Sequence, residues 1–141
     1  METKNPNPAN QQQSDKGSAP NQQSCRQTLK VEESDTALEH GSGTLRVFAT
    51  PAMVALMEKA AWKSVEHRLE KGQTTVGTAI DIRHIKATPM GDTVEARAEL
   101  VSAEGRKLSF NLEAFDSKGK IGFGTHTRYV VDEKSFLDSM K

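Results

Sequence analysis

The chain has 141 residues, one domain's worth, with 35% hydrophobic residues and 19 basic side chains against 19 acidic ones. Balanced charge, and no basic block with interleaved aromatics, argue against a nucleic-acid or membrane-surface partner. A single cysteine, Cys25, excludes an internal disulfide and a cysteine-rich zinc site and fits a reducing, cytoplasmic setting.

Residues 1–26 are rich in Asn, Gln, Pro and Ser and lack hydrophobic periodicity. Such a segment cannot bury enough apolar surface to offset the entropy of ordering it, so a disordered tail is expected, with one domain over residues 27–141. No apolar signal-peptide core follows Met1, and the longest apolar run, residues 52–57, is too short to span a bilayer.

Residues 27–33 alternate, with Leu29 and Val31 on one face and Thr28, Lys30 and Glu32 on the other, as in a half-buried strand. Residues 34–44, containing Gly41-Ser42-Gly43, read as a loop. Thr50 then reads as an N-cap, with Pro51 at the first helical position, where its missing N–H is not needed. The helix is expected to run to about Leu69 and stop near Gly72, with Lys59, Lys63, Glu66 and Glu70 on a polar stripe and Val54, Ala61, Val65 and Leu69 on an apolar one.

After Gly72 the period changes to two. Residues 74–87 form a long strand with Val76, Ile80 and Ile82 on one face, and residues 89–92 make a turn. Val94, Ala96, Ala98 and Leu100 mark the next strand; Leu108, Phe110, Leu112 and Ala114 mark another; Ile121, Phe123, Tyr129 and Val131 mark the last. Turns at 104–106 and 117–119 separate them, and a short amphipathic helix follows from Glu133. About four strands in hairpin succession after one strand and one long helix predict an α+β fold, an antiparallel sheet wrapped around the helix.

Glu58 is the most informative position. At about 100° per residue it falls within roughly 40° of Val54, Trp62, Val65 and Leu69, on the apolar face and away from the lysines. A carboxylate placed there needs a partner, a cavity or a proton, and desolvation favours the acid form, which suits a general base or nucleophile. The bland reading is a structural carboxylate tied to a buried arginine or backbone amide. Thr50 serves either as a simple cap or, beside the N–H groups of Ala52 and Met53, as part of an oxyanion site. His84 shares a strand face with Ile80 and Ile82 and is either a satisfied structural histidine or a proton carrier. His40, His67 and His126 make weaker candidates. Gly77 interrupts a strand, as a bulge or as a point of close ligand approach; Gly122 and Gly124 invite the same two readings. No metal-ligand spacing, phosphate loop, dinucleotide fingerprint or Gly-x-Ser-x-Gly elbow is present.

Taken in order, Val47-Phe48-Ala49-Thr50, residues 53–58, Val76-Gly77-Thr78-Ala79-Ile80, His84 with Ala87-Thr88-Pro89, Glu104-Gly105-Arg106, and residues 121–126 with Arg128 resemble the fluoroacetyl-CoA thioesterase-like family of hotdog proteins. The resemblance covers residues 48 to about 136. It implies a hotdog fold and a homodimer, or a higher oligomer built on one, with sites at the subunit interface. It also implies hydrolysis of an acyl-CoA to acid and free CoA without metal or organic cofactor. The family's threonine, glutamate and histidine fall on Thr50, Glu58 and His84, its active-site glycine on Gly77 and its arginine on Arg128. One departure concerns the substrate: the family's phenylalanine-bearing lid falls on Gly41 and Thr44 here, so the aromatic gate is missing. Two other functions stay open at this stage: a non-catalytic acyl-CoA binding module, and a hotdog enoyl-CoA hydratase or dehydratase, although the helix lacks the Asp and His placement usual for the latter.

Overall fold

The structure is a computed structural model that describes residues 25–141; the tail expected for residues 1–26 lies, up to residue 24, outside the described residues. β1 (Arg26–Lys30) opens the domain one residue ahead of the expected start. The segment read as a loop contains a 3₁₀ turn at Glu33–Asp35 and a one-turn helix, α1 (Ala37–His40). Thr36 caps α1 by accepting from the Glu39 N–H, and Gly41, at φ 73°, ends it in the left-handed region that glycine tolerates.

The main helix, α2, spans Thr50–Ser64, shorter than expected. Val65 leaves helical geometry at φ −113°, ψ 4°, and one 3₁₀ turn, Glu66–Arg68, carries the chain on toward β2. The apolar periodicity that ran on to Leu69 reports which side chains face inward, not which hydrogen bonds continue. The core face of α2 is Ala52, Met53, Leu56, Met57, Ala60, Ala61 and Ser64. Small residues alternate with large ones there, so the helix lies close against β1, β3 and β4. Met53, Met57, Phe110, Leu112, Phe48 and Ile121 are the largest sealed side chains, each contributing on the order of 2 kcal/mol by leaving water.

β2 (Gln73–His84), β3 (Thr93–Glu104), β4 (Lys107–Asp116) and β5 (Gly119–Asp132) complete the sheet, and α3 (Glu133–Asp138) follows. All pairings are antiparallel and the strand order is β1-β3-β4-β5-β2. Hairpin succession therefore holds only for β3, β4 and β5. β2 does not pair with β3; it crosses to the far side of β5 and forms an edge. The crossover is pinned at Asp116, whose buried carboxylate accepts from Lys86 Nζ at 3.0 Å, the Thr88 hydroxyl at 2.8 Å and the Lys118 N–H at 2.8 Å. The result is the expected α+β hotdog arrangement, an antiparallel sheet curled around one helix.

A bulge sits in β2, where pairing to β5 jumps from Gly77–Arg128 to Ala79–Thr127 and leaves Thr78 as the extra residue. The extra residue reverses the alternation. Thr75 and Gly77 share the inner face with Ile80, Ile82 and His84, and Val76, expected beside Ile80, is on the other side.

Candidate active site

α2 runs antiparallel to β2, so its first turn meets the end of the strand. There the Thr50 hydroxyl lies 2.8 Å from His84 Nδ1. Thr50 is not the N-cap. Ala49 holds that position, extended at φ −76°, and Thr50 is the first helical residue. Its side chain is thereby free of capping and is given to the imidazole. Burial lowers the His84 pKa from 6.5, against a backbone contact to Lys86, so the ring is neutral at pH 7. Its Nε2 is buried without a hydrogen-bond partner among the described residues. A hydroxyl paired with a neutral imidazole can exchange a proton with a reacting group. The pair borders a cavity of about 340 Å³ lined also by Ala37, Ser42, Phe48, Ile85 and Lys86.

Two turns along α2, Glu58 occupies the flank of the helix rather than the middle of its buried face. Val54, Glu58 and Trp62 form a half-buried strip beside the core residues. The Glu58 side chain is 40% exposed, so the full desolvation expected from the helical wheel is not realised within one chain. Its partner is Arg128, whose Nη1 lies 3.4 Å from Glu58 Oε2. Arg128 is itself buried. Its Nε donates to the Thr75 hydroxyl at 2.8 Å and its Nη2 to the Thr75 carbonyl at 3.0 Å. Burial pulls the Arg128 pKa down and Glu58 pulls it back, and a guanidinium remains charged under either influence.

Gly77 makes this cluster possible. A Cβ there would stand 2.9 Å from Glu58 Oε2, 3.2 Å from Arg128 Nη1 and 3.2 Å from His126 Cε1. Both readings of Gly77 therefore hold: it adjoins a bulge, and it keeps the backbone low beneath the carboxylate. Gly122 has a packing role, since a Cβ there would meet Met53 Sδ at 2.7 Å.

One expectation needs correction. The Met53 N–H bonds to the Ala49 carbonyl at 3.0 Å and its side chain is sealed in the core, so Met53 is no free donor to a ligand. The Ala52 N–H, in the first turn, precedes that bond and remains available. Within one chain the imidazole beside Glu58 is that of His126, whose Nε2 is 3.9 Å from Glu58 Oε2. Sequence reasoning ranked His126 among the weaker candidates. The inner face of β5 carries Gly122, Gly124, His126 and Arg128, paired with Ala114, Leu112, Phe110 and Leu108.

Thr50, Glu58 and His84 therefore do not converge in one chain. Thr50 and His84 touch; Glu58 stands apart with Arg128, Gly77 and His126. Among the described residues, no group of three or more His, Cys, Asp or Glu is placed to hold a metal ion, and no helix is long and apolar enough to cross a membrane.

A curled antiparallel sheet around a central helix, with a carboxylate and a hydroxyl–imidazole pair beside it, is the architecture of a hotdog protein. The family model for the fluoroacetyl-CoA-specific thioesterase FlK matches residues 31–134, and the chain belongs to that family. A fluoroacetyl-CoA thioesterase from Streptantibioticus cattleyicolor is 48% identical over 90 residues, 64% of this chain and 65% of the relative, so the match spans just under two thirds of the relative's length. The structure of a phenylalanine-to-alanine mutant of FlK in complex with fluoroacetate and CoA superposes with a TM-score of 0.78 at 37% identity, covering 82% of this chain and 94% of that one. A hot-dog-like protein from Thermanaerovibrio acidaminovorans, at 23% identity, TM-score 0.74 and coverage of 82% and 85%, shares the fold.

Proposed function

We propose that the protein hydrolyses an acyl-CoA thioester to the free acid and CoA, in a site completed at a homodimer interface. The observation that carries this reading is the division of the polar groups along β2. Gly77 beneath Glu58 and His84 beside Thr50 are separated by about 20 Å of strand, at roughly 3.3 Å per residue. They cannot act on one carbonyl within a chain. β2 is an edge strand with Ile80, 40% exposed, near its middle. Antiparallel pairing of two β2 edges about a two-fold axis near residues 80–82 would set the Gly77 end of one strand beside the His84 end of its partner. The half-buried strip of Val54, Glu58 and Trp62 would then be covered.

In that site Glu58, steadied by Arg128, either attacks the thioester carbonyl or takes a proton from the attacking water. CoA departs as a thiolate that the His84 Nε2–H hydrogen-bonds and solvent protonates, while the Thr50 hydroxyl donates to His84 Nδ1 and the Ala52 N–H stabilises the charge on the carbonyl oxygen. In the nucleophilic route an acyl–Glu58 anhydride forms, CoA leaves, and water cleaves the anhydride to acid and restored carboxylate. Where water attacks the Glu58 carbonyl of that anhydride, a single turnover in ¹⁸O-water labels Glu58, which direct attack of water on the thioester cannot do. The FlK complex with fluoroacetate and CoA supports the substrate class. The acyl group is expected to be small but not fluoroacetyl in particular, because the positions of the family's phenylalanine-bearing lid hold Gly41 and Thr44 here. A CoA substrate fits a cytoplasmic setting. The test is steady-state hydrolysis of a panel of short acyl-CoAs by wild type, Glu58→Ala and His84→Ala. Both variants should lose turnover. Wild-type rates in both would reject the site, and saturable CoA binding without turnover would make the protein a binding module.

A further inference from the structure

His126 takes no part in the chemistry proposed for Glu58, Thr50 and His84, yet it is the one buried imidazole among the described residues. Its Nδ1 is 2.8 Å from the Ala79 carbonyl oxygen. A carbonyl only accepts, so Nδ1 carries the hydrogen and Nε2 of the neutral ring is a lone pair. That lone pair faces Arg128 Nη1 at 3.2 Å. The same Nη1 reaches Glu58 Oε2 at 3.4 Å. Its two hydrogens are thus divided, one to each neighbour, while Thr75 takes the donors of Nε and Nη2. The ring is wedged beside Phe110, at 5.9 Å between centroids, and its anchor, Ala79, immediately follows the bulged residue of β2.

We propose that His126 is a positioning residue: as the Nδ1–H tautomer it holds one Nη1 hydrogen of Arg128 and so turns the other toward the Glu58 carboxylate. The proposal rests on the reading of Glu58 as the reactive group. The charged groups facing the ring are Arg128 on its own strand and Glu58 from α2. Burial, and secondarily the Arg128 charge, lower the His126 pKa from 6.5, while the Ala79 bond and Glu58 oppose them. Protonation would turn Nε2 into a donor aimed at a guanidinium and abolish the arrangement.

Two measurements test it. The first does not depend on turnover: the ¹⁵N shifts of the His126 ring in the intact protein should show Nδ1 protonated and Nε2 unprotonated at pH 7, and a charged ring or the Nε2–H tautomer overturns the proposal. The second uses His126→Gln, whose amide oxygen can still accept from Arg128, and His126→Phe, which fills the space without polar atoms. With acetyl-CoA as probe, or whichever panel member wild type turns over best, the Phe variant should lose kcat about 30-fold with KM within about threefold, and the Gln variant should recover much of that loss. In an Arg128→Met background, neither substitution should lower kcat further. A purely packing role predicts a lowered Tm with unchanged kcat in the folded fraction, and an undiminished effect in the Arg128→Met background; either result rejects the proposal. If wild type hydrolyses no acyl-CoA, the functional reading fails separately, and the ring shifts still decide the tautomer.

Discussion

The two ends of β2 are built on opposite principles. At the His84 end, two uncharged groups, a hydroxyl and a neutral imidazole, meet at 2.8 Å with no charged side chain bonded to either. At the Gly77 end, a carboxylate and a guanidinium meet at 3.4 Å, and the guanidinium is held through every nitrogen. The first arrangement can pass a proton with little reorganisation. The second fixes a negative charge and its direction. Thioester hydrolysis draws on both, a nucleophile or base on one side and a hydrogen-bond donor for the leaving thiolate on the other. On the proposed reading, these would be two complementary half-sites held by one chain.

Mixing inactive variants is the sharpest way to break that comparison. Glu58→Ala should lower kcat about 10³-fold and His84→Ala about 10²-fold. When the two inactive proteins are unfolded and refolded together, half of the dimers are mixed, and each mixed dimer holds one site with both native groups. About a quarter of the sites should then turn over, provided each site draws on two chains. No recovery above the separate variants would place the whole reaction within one chain.

Glycine substitutions sharpen the same contrast on a smaller scale. Gly77→Ala sets a methyl group 2.9 Å from Glu58 Oε2, an exposed and movable oxygen, so the carboxylate should swing aside and kcat fall about 10- to 100-fold with little change in Tm. Gly122→Ala sets its methyl group against Met53 Sδ and, at 2.9 Å, the Arg83 carbonyl, inside the core. That overpacking should cost about 2 kcal/mol in urea unfolding. Equal losses of stability in the two variants would show that Gly77 serves the fold and not the site.

Thr50 distinguishes a cap from a reacting group. Loss of a cap hydroxyl costs about 1 kcal/mol, whereas Ala49 is the cap residue here and makes no side-chain bond. Thr50→Val should therefore leave the urea midpoint nearly unchanged and lower kcat about 10-fold, while Thr50→Ser stays near wild type. A loss of about 1 kcal/mol with unchanged kcat would return Thr50 to a capping role.

Much of this was legible in the chain. Proline at position 51, left-handed glycines at 91, 105 and 119, and two-residue alternation located the helix, the turns and most strands, because each reflects a local constraint. Strand order was not local. Nothing in the 85–92 segment announces that β2 crosses to β5 instead of pairing with β3. The bulge at Thr78 moved Val76 off the face assigned to it, since one inserted residue reverses every side chain before it. Family likeness named Thr50, Glu58, His84, Gly77 and Arg128, but it could not say that they divide into two groups. His126 ranked only among the weaker candidates because inward polar residues on β5 look, from sequence, like a solvent face. Glycines at 122 and 124 on the same face were the available signal that this side packs closely.

The smallest effect concerns acid. Burial lowers the pKa of both His84 and His126 from 6.5. Below that value the unfolded chain takes up protons that the folded chain refuses, so stability should fall as pH drops through about 6.5 and level off once the folded-state values are passed. Above about pH 7 the two rings contribute no slope. Asp92 and Asp116 are lowered from 3.8, so their stabilisation is lost only at more acidic pH and does not enter the window from 7.5 to 5. Urea midpoints across that window should therefore decline toward acid in wild type, less so in His126→Gln, and least in a His84→Gln, His126→Gln double variant. His84 on β2 and His126 on β5 each account for one of these protons, so single variants report them separately. A wild-type midpoint that stays flat from 7.5 to 5 would mean that neither ring is held neutral by the fold, and would remove the lone pair through which His126 is argued to hold Arg128.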